Sequence, residues 1–255
     1  MQKYGQHFLI NENIISQIID AALLLNPGRL VEIGPGKGAL TWELIRRGEQ
    51  HFTVVEIDPE MVVYLQKNLP PQAGVQVVQS DFLKTDLAHL AAQPTLFVSN
   101  LPYIDAAAIL DKVLDFPFFH AAVFMFQKEQ AQRICARAGE EFYGPLSVFS
   151  QLRAQISTVC KVGHGCFNPP PKVESRVLAF QKKPVWPVAA ADWPRFKKLV
   201  NAAFLHRRKT LFNSWALCGY EKEKIQRSLT RENIPLSARA EQIPPQTYTR
   251  LLELL

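Results

Sequence analysis

Three stretches of this sequence hold side chains whose types and spacing suit chemistry on a nucleoside. The first, Glu32-Ile33-Gly34-Pro35-Gly36-Lys37-Gly38, is a glycine-rich turn that begins on a carboxylate. Such turns let backbone approach a ligand closely and lead into the unpaired N–H groups of a helix N-terminus, although many are ordinary tight turns. Two more acids follow. Glu56 closes the next apolar run, where a carboxylate accepts from ribose hydroxyls, and Asp81 lies in Gln79-Ser80-Asp81-Phe82, where it can accept from an adenine amine. Taken singly, Asp81 reads as a turn or cap residue; as third member of the series it is assigned to the ligand. The pyrophosphate of a dinucleotide would be repelled by Glu32. S-adenosylmethionine has no phosphate and carries a positive sulfonium, so it is the expected cofactor.

The third stretch is Ser99-Asn100-Leu101-Pro102-Tyr103. An adenine amine is a poor nucleophile because its lone pair is delocalised into the ring, so a catalyst must favour a more tetrahedral nitrogen. The Asn100 side-chain oxygen and a backbone carbonyl held by the Leu101-Pro102 link can accept the two amine hydrogens and aim the lone pair. Tyr103 would stack on the base. No strong general base is demanded, since the nitrogen becomes acidic once alkylated. A polar-Pro-aromatic sequence also forms plain turns; its place at the carboxyl end of a predicted strand, beside the cofactor crevice, favours the chemical reading. A base stacked in a helix could not enter, so the target is expected to be single-stranded, looped or flipped. Phe167, in Phe167-Asn168-Pro169-Pro170-Pro171-Lys172-Val173, is either a second stacking face or an aromatic plugging the core edge.

These residues are carried by an alternation of strand and helix. Short β-rich runs at Leu30 to Ile33, Phe52 to Ile57, Val75 to Gln79, Thr95 to Ser99 and Ala121 to Phe126 alternate with helix-compatible stretches at Ala39 to Arg47, Pro59 to Leu69 and Ala106 to Leu114. The rhythm predicts an α/β fold with a doubly wound, mostly parallel sheet. Ile14, Ile15, Ile18, Ile19, Ala22 and Leu23 repeat at helical spacing after Asn11, which predicts an amphipathic helix ending near Asn26-Pro27-Gly28. Asp58-Pro59 reads as an N-cap followed by proline at the first helical position. Further strands are expected at Thr158 to Val162 and Ser175 to Phe180. The stretch Pro184 to Pro194, with three prolines and two tryptophans, reads as linker, and the pattern after it is helical. The expected organisation is a catalytic domain at 1–181, with an N-terminal lid and helix at 1–28, a linker at 182–194 and a small helical domain at 195–255.

Composition sets the partner class. With 255 residues, 47% of them apolar, the chain can bury one full-sized core and add a small second one. The net charge of +6 is unevenly spread: residues 1–181 carry 15 basic and 17 acidic side chains, residues 182–255 carry 14 and 6, so the tail holds +8 against −2. A basic module beside a near-neutral one suits a polyanion, because neutralising phosphates releases counterions; a well-solvated basic surface is the plainer alternative. Cys135, Cys160, Cys166 and Cys218 form no CxxC pair and lack a histidine at zinc spacing, so they are expected to be buried thiols in a reducing cytoplasm, with no metal. No long apolar run suggests a membrane span, and a soluble, unexported chain is expected.

Nearly the whole chain resembles the ribosomal RNA adenine dimethyltransferase family, whose bacterial members dimethylate two adjacent adenosines near the 3′ end of small-subunit rRNA. The resemblance rests on Gly5-Gln6-His7-Phe8-Leu9, Glu32 to Thr41, Asn100 to Tyr103, Gln127-Lys128-Glu129, Tyr143 to Val148, Phe167 to Ser175 and Ala203 to Asn213. It implies a Rossmann-like class I methyltransferase fold and puts His7, Leu9, Gly34, Glu56, Asp81 and Asn100 at cofactor-contacting positions, His7 and Leu9 within a lid. It also implies action on an assembling small subunit, and the modular layout is compatible with a cytoplasmic monomer. Phe204 to Leu211 is similar to the small-subunit branch rather than to the related branch that modifies large-subunit rRNA; within it Arg207, Arg208 and Lys209 are the expected phosphate contacts, with a solvated charge run as the alternative. Two features depart from the family: Ile104 follows Tyr103 where a polar residue, often Asn, is usual, and the basic N-terminal extension is short. A non-catalytic assembly factor and a large-subunit target remain the competing readings.

Overall fold

The computed structural model of the protein describes residues 7–25, 28–90 and 92–254. Gly5-Gln6 of the first motif and the Asn26-Pro27 pair expected to end the first helix lie outside the described residues. Two compact units are present, the first comprising 1–131 and 155–182, the second 132–154 and 183–255.

In the first unit a short strand β1 (Phe8–Leu9) precedes α1 (Glu12–Leu23), whose first turn is capped by Asn11 accepting from Ile14 N at 3.1 Å. Side chains at the expected spacing, Ile14, Ile18, Ile19 and Ala22, are buried. The alternating part follows as β2 (Arg29–Ile33), α2 (Ala39–Arg46), β3 (Thr53–Glu56), α3 (Pro59–Asn68), β4 (Gln76–Gln79), α4 (Leu87–Leu90), β5 (Thr95–Asn100), α5 (Ala106–Asp115) and β6 (Phe119–Gln127). Asp58 caps α3 by accepting from Glu60 N at 3.0 Å, with Pro59 in the first turn. The helix α6 (Lys128–Cys135) then leads out of the unit. Strands β7 (Ala154–Val162), β8 (Phe167–Asn168) and β9 (Ser175–Lys182) complete the unit, after α7 (Pro145–Arg153) of the second.

The large sheet has the order β4-β3-β2-β5-β6-β9-β7. Neighbours from β4 to β6 run parallel, and β9 lies antiparallel on β6. The chain winds outward from β2 to β4 and then restarts on the other side of β2 with β5. That reversal opens a crevice at the carboxyl ends of β2 and β5, the usual ligand position in open α/β sheets. Central strands buried on both faces read as apolar runs, and Leu30, Val31, Ile33, Val54, Val55, Leu96, Phe97 and Val98 are all buried.

The second unit gathers α7, α8 (Trp193–Leu205), α9 (Leu211–Leu217), α10 (Lys222–Arg231) and α11 (Pro245–Leu254) around one core. Three of its buried aromatics have their polar ends satisfied: Tyr143 donates to Ile243 O at 2.8 Å, Trp215 to Leu199 O at 3.0 Å, and Tyr248 to Ala240 O at 2.8 Å, whereas the indole N–H of Trp193 is buried without a hydrogen-bond partner among the described residues. Two expected boundaries change here. Residues 132–154, assigned above to the first domain, belong to the second unit because Tyr143, Val148 and Leu152 bury in its core. The expected linker 182–194 is also part of that unit: Val188 and Trp193 are core residues, Trp186 packs against them, and Trp193-Pro194 already form the first turn of α8. The four cysteines are free thiols, half-buried rather than buried.

Candidate active site

The crevice is held open by hydrogen bonds at the strand ends. Ser99 donates its hydroxyl to Ile33 O at 2.5 Å, tying β5 to β2, and Gly34 N donates to Val55 O at 2.8 Å, tying the glycine turn to β3. A cavity of about 230 Å³ opens there, walled by Glu32, residues 34–37, Glu56, Ile57, residues 7–10 and the 100–103 loop. Gly36 has φ of +55°, and a Cβ on it would sit 3.1 Å from the Phe8 ring, so a side chain at residue 36 would be both strained and crowded by Phe8.

Two carboxyl groups line this cavity and both are almost out of water. Glu56 is 3% exposed; its Oε2 accepts from Gly36 N and its Oε1 from Asp58 N, each at 2.9 Å. A carboxylate has about four acceptor sites, so these contacts do not exhaust its capacity to accept from a ligand hydroxyl. Burial pushes its pKa above the ordinary carboxylate value, and the backbone N–H groups oppose that shift. Glu32 is 1% exposed, and the Thr41 hydroxyl donates to its Oε2 at 2.6 Å. Burial drives its pKa up to about 8, opposed by the Thr41 bond and reinforced by the nearby Glu56 charge. A cation placed between these carboxyls favours their ionisation and is stabilised by it, whereas a phosphate would gain nothing from them, so the donor set fits S-adenosylmethionine.

On the opposite wall, the Asn100 Nδ2 donates to His7 O at 3.2 Å, which leaves Oδ1 as the amide's acceptor. Tyr103 lies half-buried with its ring centroid 6.0 Å from that of His7, and its hydroxyl is 2.9 Å from Ser175 Oγ. Burial raises the Tyr103 pKa, keeping the phenol neutral. Leu101 is buried with 2% exposure, whereas Pro102 is open to solvent. Ile104, at 91% exposure, stands in water next to this loop. His7 Nδ1 lies 2.8 Å from Pro169 O, and Leu9 pairs with Phe167, so the N-terminal segment is stitched to the 167–169 stretch.

The cavity thus unites His7, Leu9, Gly34, Glu56, Asn100, Leu101, Pro102 and Tyr103. It does not take in Phe167. That ring is 3% exposed and packs in the core with Leu9 and Val162, so of its two expected roles the structure gives it the plug, not the stacking face. Asp81 is also absent from the wall. Its Oδ1 accepts from Leu83 N at 2.9 Å and its Oδ2 lies 3.6 Å from Lys84 Nζ, the turn role that its sequence context also allowed. Arg207, Arg208 and Lys209 sit in the second unit, exposed in the turn between α8 and α9, with Arg207 donating to Glu141 O at 3.2 Å. Sequence reasoning missed Thr41, Ser99 and Ser175, whose hydroxyls orient Glu32, the β5 terminus and Tyr103. Only Ser99, flanking Asn100, carried a local signal.

A parallel sheet with a reversal at β2/β5, an added antiparallel strand, and a carboxylate-lined cavity beside an Asn-Leu-Pro-Tyr loop define a Rossmann-like class I methyltransferase. The family model for ribosomal RNA adenine dimethylase matches residues 1–255. Ribosomal RNA small subunit methyltransferase A from Ligilactobacillus salivarius is 37% identical over 262 residues, covering 98% of this chain and 88% of that protein. Its counterpart from a Synechococcus species is 37% identical over 264 residues, covering 100% and 92%. Among solved structures, a dimethyladenosine transferase from Plasmodium falciparum superposes with a TM-score of 0.79 at 25% identity, over 96% of each chain. The 23S rRNA methyltransferase ErmE does so with a TM-score of 0.74 at 28% identity, over 97% and 99%. The chain belongs to the ribosomal RNA adenine dimethylase family and is an S-adenosylmethionine-dependent rRNA adenine dimethyltransferase.

Proposed function

We propose that this enzyme places two methyl groups on the exocyclic amine of each of two adjacent adenosines near the 3′ end of small-subunit rRNA, working as a cytoplasmic monomer on an assembling small subunit. The observation that carries the site reading is the Asn100 amide, held by the His7 carbonyl with its Oδ1 left to accept.

S-adenosylmethionine supplies an electrophilic methyl on a positive sulfur. Glu56 would hold it at the ribose, the open backbone at Gly34 and the His7 to Leu9 segment would enclose it, and Asp81 Oδ2 would accept from the adenine amine; Glu32, ionised by the nearby cation, would balance the positive charge. Asn100 Oδ1 and the Leu101 carbonyl accept the two hydrogens of the target amine and aim its lone pair. Tyr103 stacks on the base. Oδ1 of Asn100 holds the acidified proton until water removes it, so no side chain has to act as a strong base. Arg207, Arg208 and Lys209 meet rRNA phosphates, supported by their exposure and by the charge of their unit: residues 132–154 and 183–255 carry 16 basic and 8 acidic side chains.

The likeness to ErmE gives the rival reading, a large-subunit adenine. Relatives named for the small subunit at 34–37% identity across 98% or more of this chain favour the first. Transfer of tritiated methyl from the cofactor to ribosomal subunits of an unmethylated strain separates the two. Label on the small subunit, recovered as N6,N6-dimethyladenosine, is expected; label on the large subunit alone, or on neither, contradicts the proposal.

A further inference from the structure

Lys112, on α5, points its ammonium at the turn that follows β4. Nζ donates to Phe82 O at 2.8 Å, Leu83 O at 2.8 Å and Thr85 O at 2.5 Å, so each of its three hydrogens meets a carbonyl. It also lies 5.5 Å from the centroid of the Phe82 ring. The same turn folds on Asp81: Lys84 N and Thr85 N donate to Asp81 O at 2.9 and 3.0 Å, and the Thr85 hydroxyl joins them at 2.9 Å. With Leu83 N bound to Asp81 Oδ1, one face of the turn is spent on orienting Asp81 while the other turns three carbonyl dipoles toward one point. Three converging carbonyls repel one another unless a cation sits among them. Withdrawal from water pulls the ammonium pKa below the ordinary lysine value, while Asp81 and Asp86 work to keep it charged.

We propose that Lys112 is a positioning residue for the cofactor's base: its ammonium clamps the 82–85 turn so that Asp81 presents Oδ2 to the adenine amine. This rests on the assignment of Asp81 made above. A lysine that merely fastened α5 to the sheet would raise stability without favouring one base over another. A clamp that sets the aim of one carboxylate acts on base selectivity.

The test compares binding of S-adenosylhomocysteine with that of S-inosylhomocysteine, which lacks the amine, to the full-length enzyme by titration calorimetry. The wild type is expected to prefer the adenosyl form by about tenfold or more, the scale of one hydrogen bond to a charged group. Lys112→Met should remove most of that preference by weakening the adenosyl form selectively, and should raise KM for S-adenosylmethionine with kcat at saturation little changed. If Lys112→Met does not fold, Lys112→Arg is read in its place; a planar guanidinium cannot cap three carbonyls that converge on a point, so the preference should fall part-way. Full preference retained in whichever variant folds, or equal weakening of both ligands, overturns the proposal. Asp81→Asn keeps the two failures apart. Selectivity unchanged in Asp81→Asn sinks the Asp81 assignment and the clamp with it, whereas selectivity lost in Asp81→Asn but kept in Lys112→Met sinks the clamp alone.

Discussion

At the scale of residues, the site works by holding acceptors and carboxyls in place, and each of these has a partner that fixes it. Asn100 is oriented by the His7 carbonyl, so its truncation removes an acceptor used as the amine becomes tetrahedral. Asn100→Ala is expected to lower turnover by about 10²–10³-fold, by analogy with loss of one preorganised hydrogen-bonding group, while cofactor binding survives; unchanged single-turnover rates would refute the role. Glu32 makes a pH prediction. Its pKa is about 8 in the fold against 4.5 when unperturbed, so between those values the folded chain retains a proton that the unfolded chain has released. Its contribution to stability therefore falls as pH rises from about 4.5 to about 8. A cation in the cavity favours the ionised form, so cofactor binding expels that proton and affinity rises with pH up to about 8. Calorimetry across this range should show the rise in the wild type and a flatter profile in Glu32→Gln; identical slopes in the two would contradict it.

At the scale of elements, what was legible depended on whether the signal was local. The β2 to β6 strands and α1, α2, α3 and α5 were readable because buried strands form apolar runs and their helices are capped or periodic. The expected ends differ from the observed by one or two residues in most of these elements. The pairing of β1 with β8 was not readable, since it joins Phe8 to Asn168 and is a tertiary contact without local pattern. Nor was α7, whose buried Ser147 and Ser150 interrupt the apolar spacing. The Asn-Leu-Pro-Tyr loop and the glycine turn were legible as chemistry, but Phe167 was not, because a loop aromatic looks the same in sequence whether it faces a ligand or the core. Its burial makes a prediction: Phe167→Ala should destabilise the protein by about 3–5 kcal/mol through the cavity it leaves. Denaturant unfolding measures this, and an unmoved midpoint would mean that the ring is not part of the core.

At the scale of the whole molecule, the chain divides its charge between two units. The charge contrast was visible in the sequence, but the interrupted boundary was not, because residues 132–154 leave the first unit and return without a linker composition. Of the tryptophans in the 184–194 stretch, Trp193 is a core residue and Trp186 packs against that core, so proline content alone misread the stretch as a connector. If the basic unit meets rRNA through its α8–α9 turn, reversing Arg207 and Arg208 to Glu should weaken binding to small subunits and flatten its salt dependence, leaving cofactor affinity intact. An unaltered salt slope would assign that turn another role. The central claim is that Asn100 and Tyr103 present an adenine amine to the cofactor cavity. A crystal structure with S-adenosylhomocysteine and an adenosine nucleotide tests it most directly. The account predicts Asn100 Oδ1 within hydrogen-bonding distance of the amine nitrogen, the base stacked on Tyr103 and the amine facing the cofactor sulfur; a base bound elsewhere, with the 100–103 loop turned from the sulfur, would contradict it.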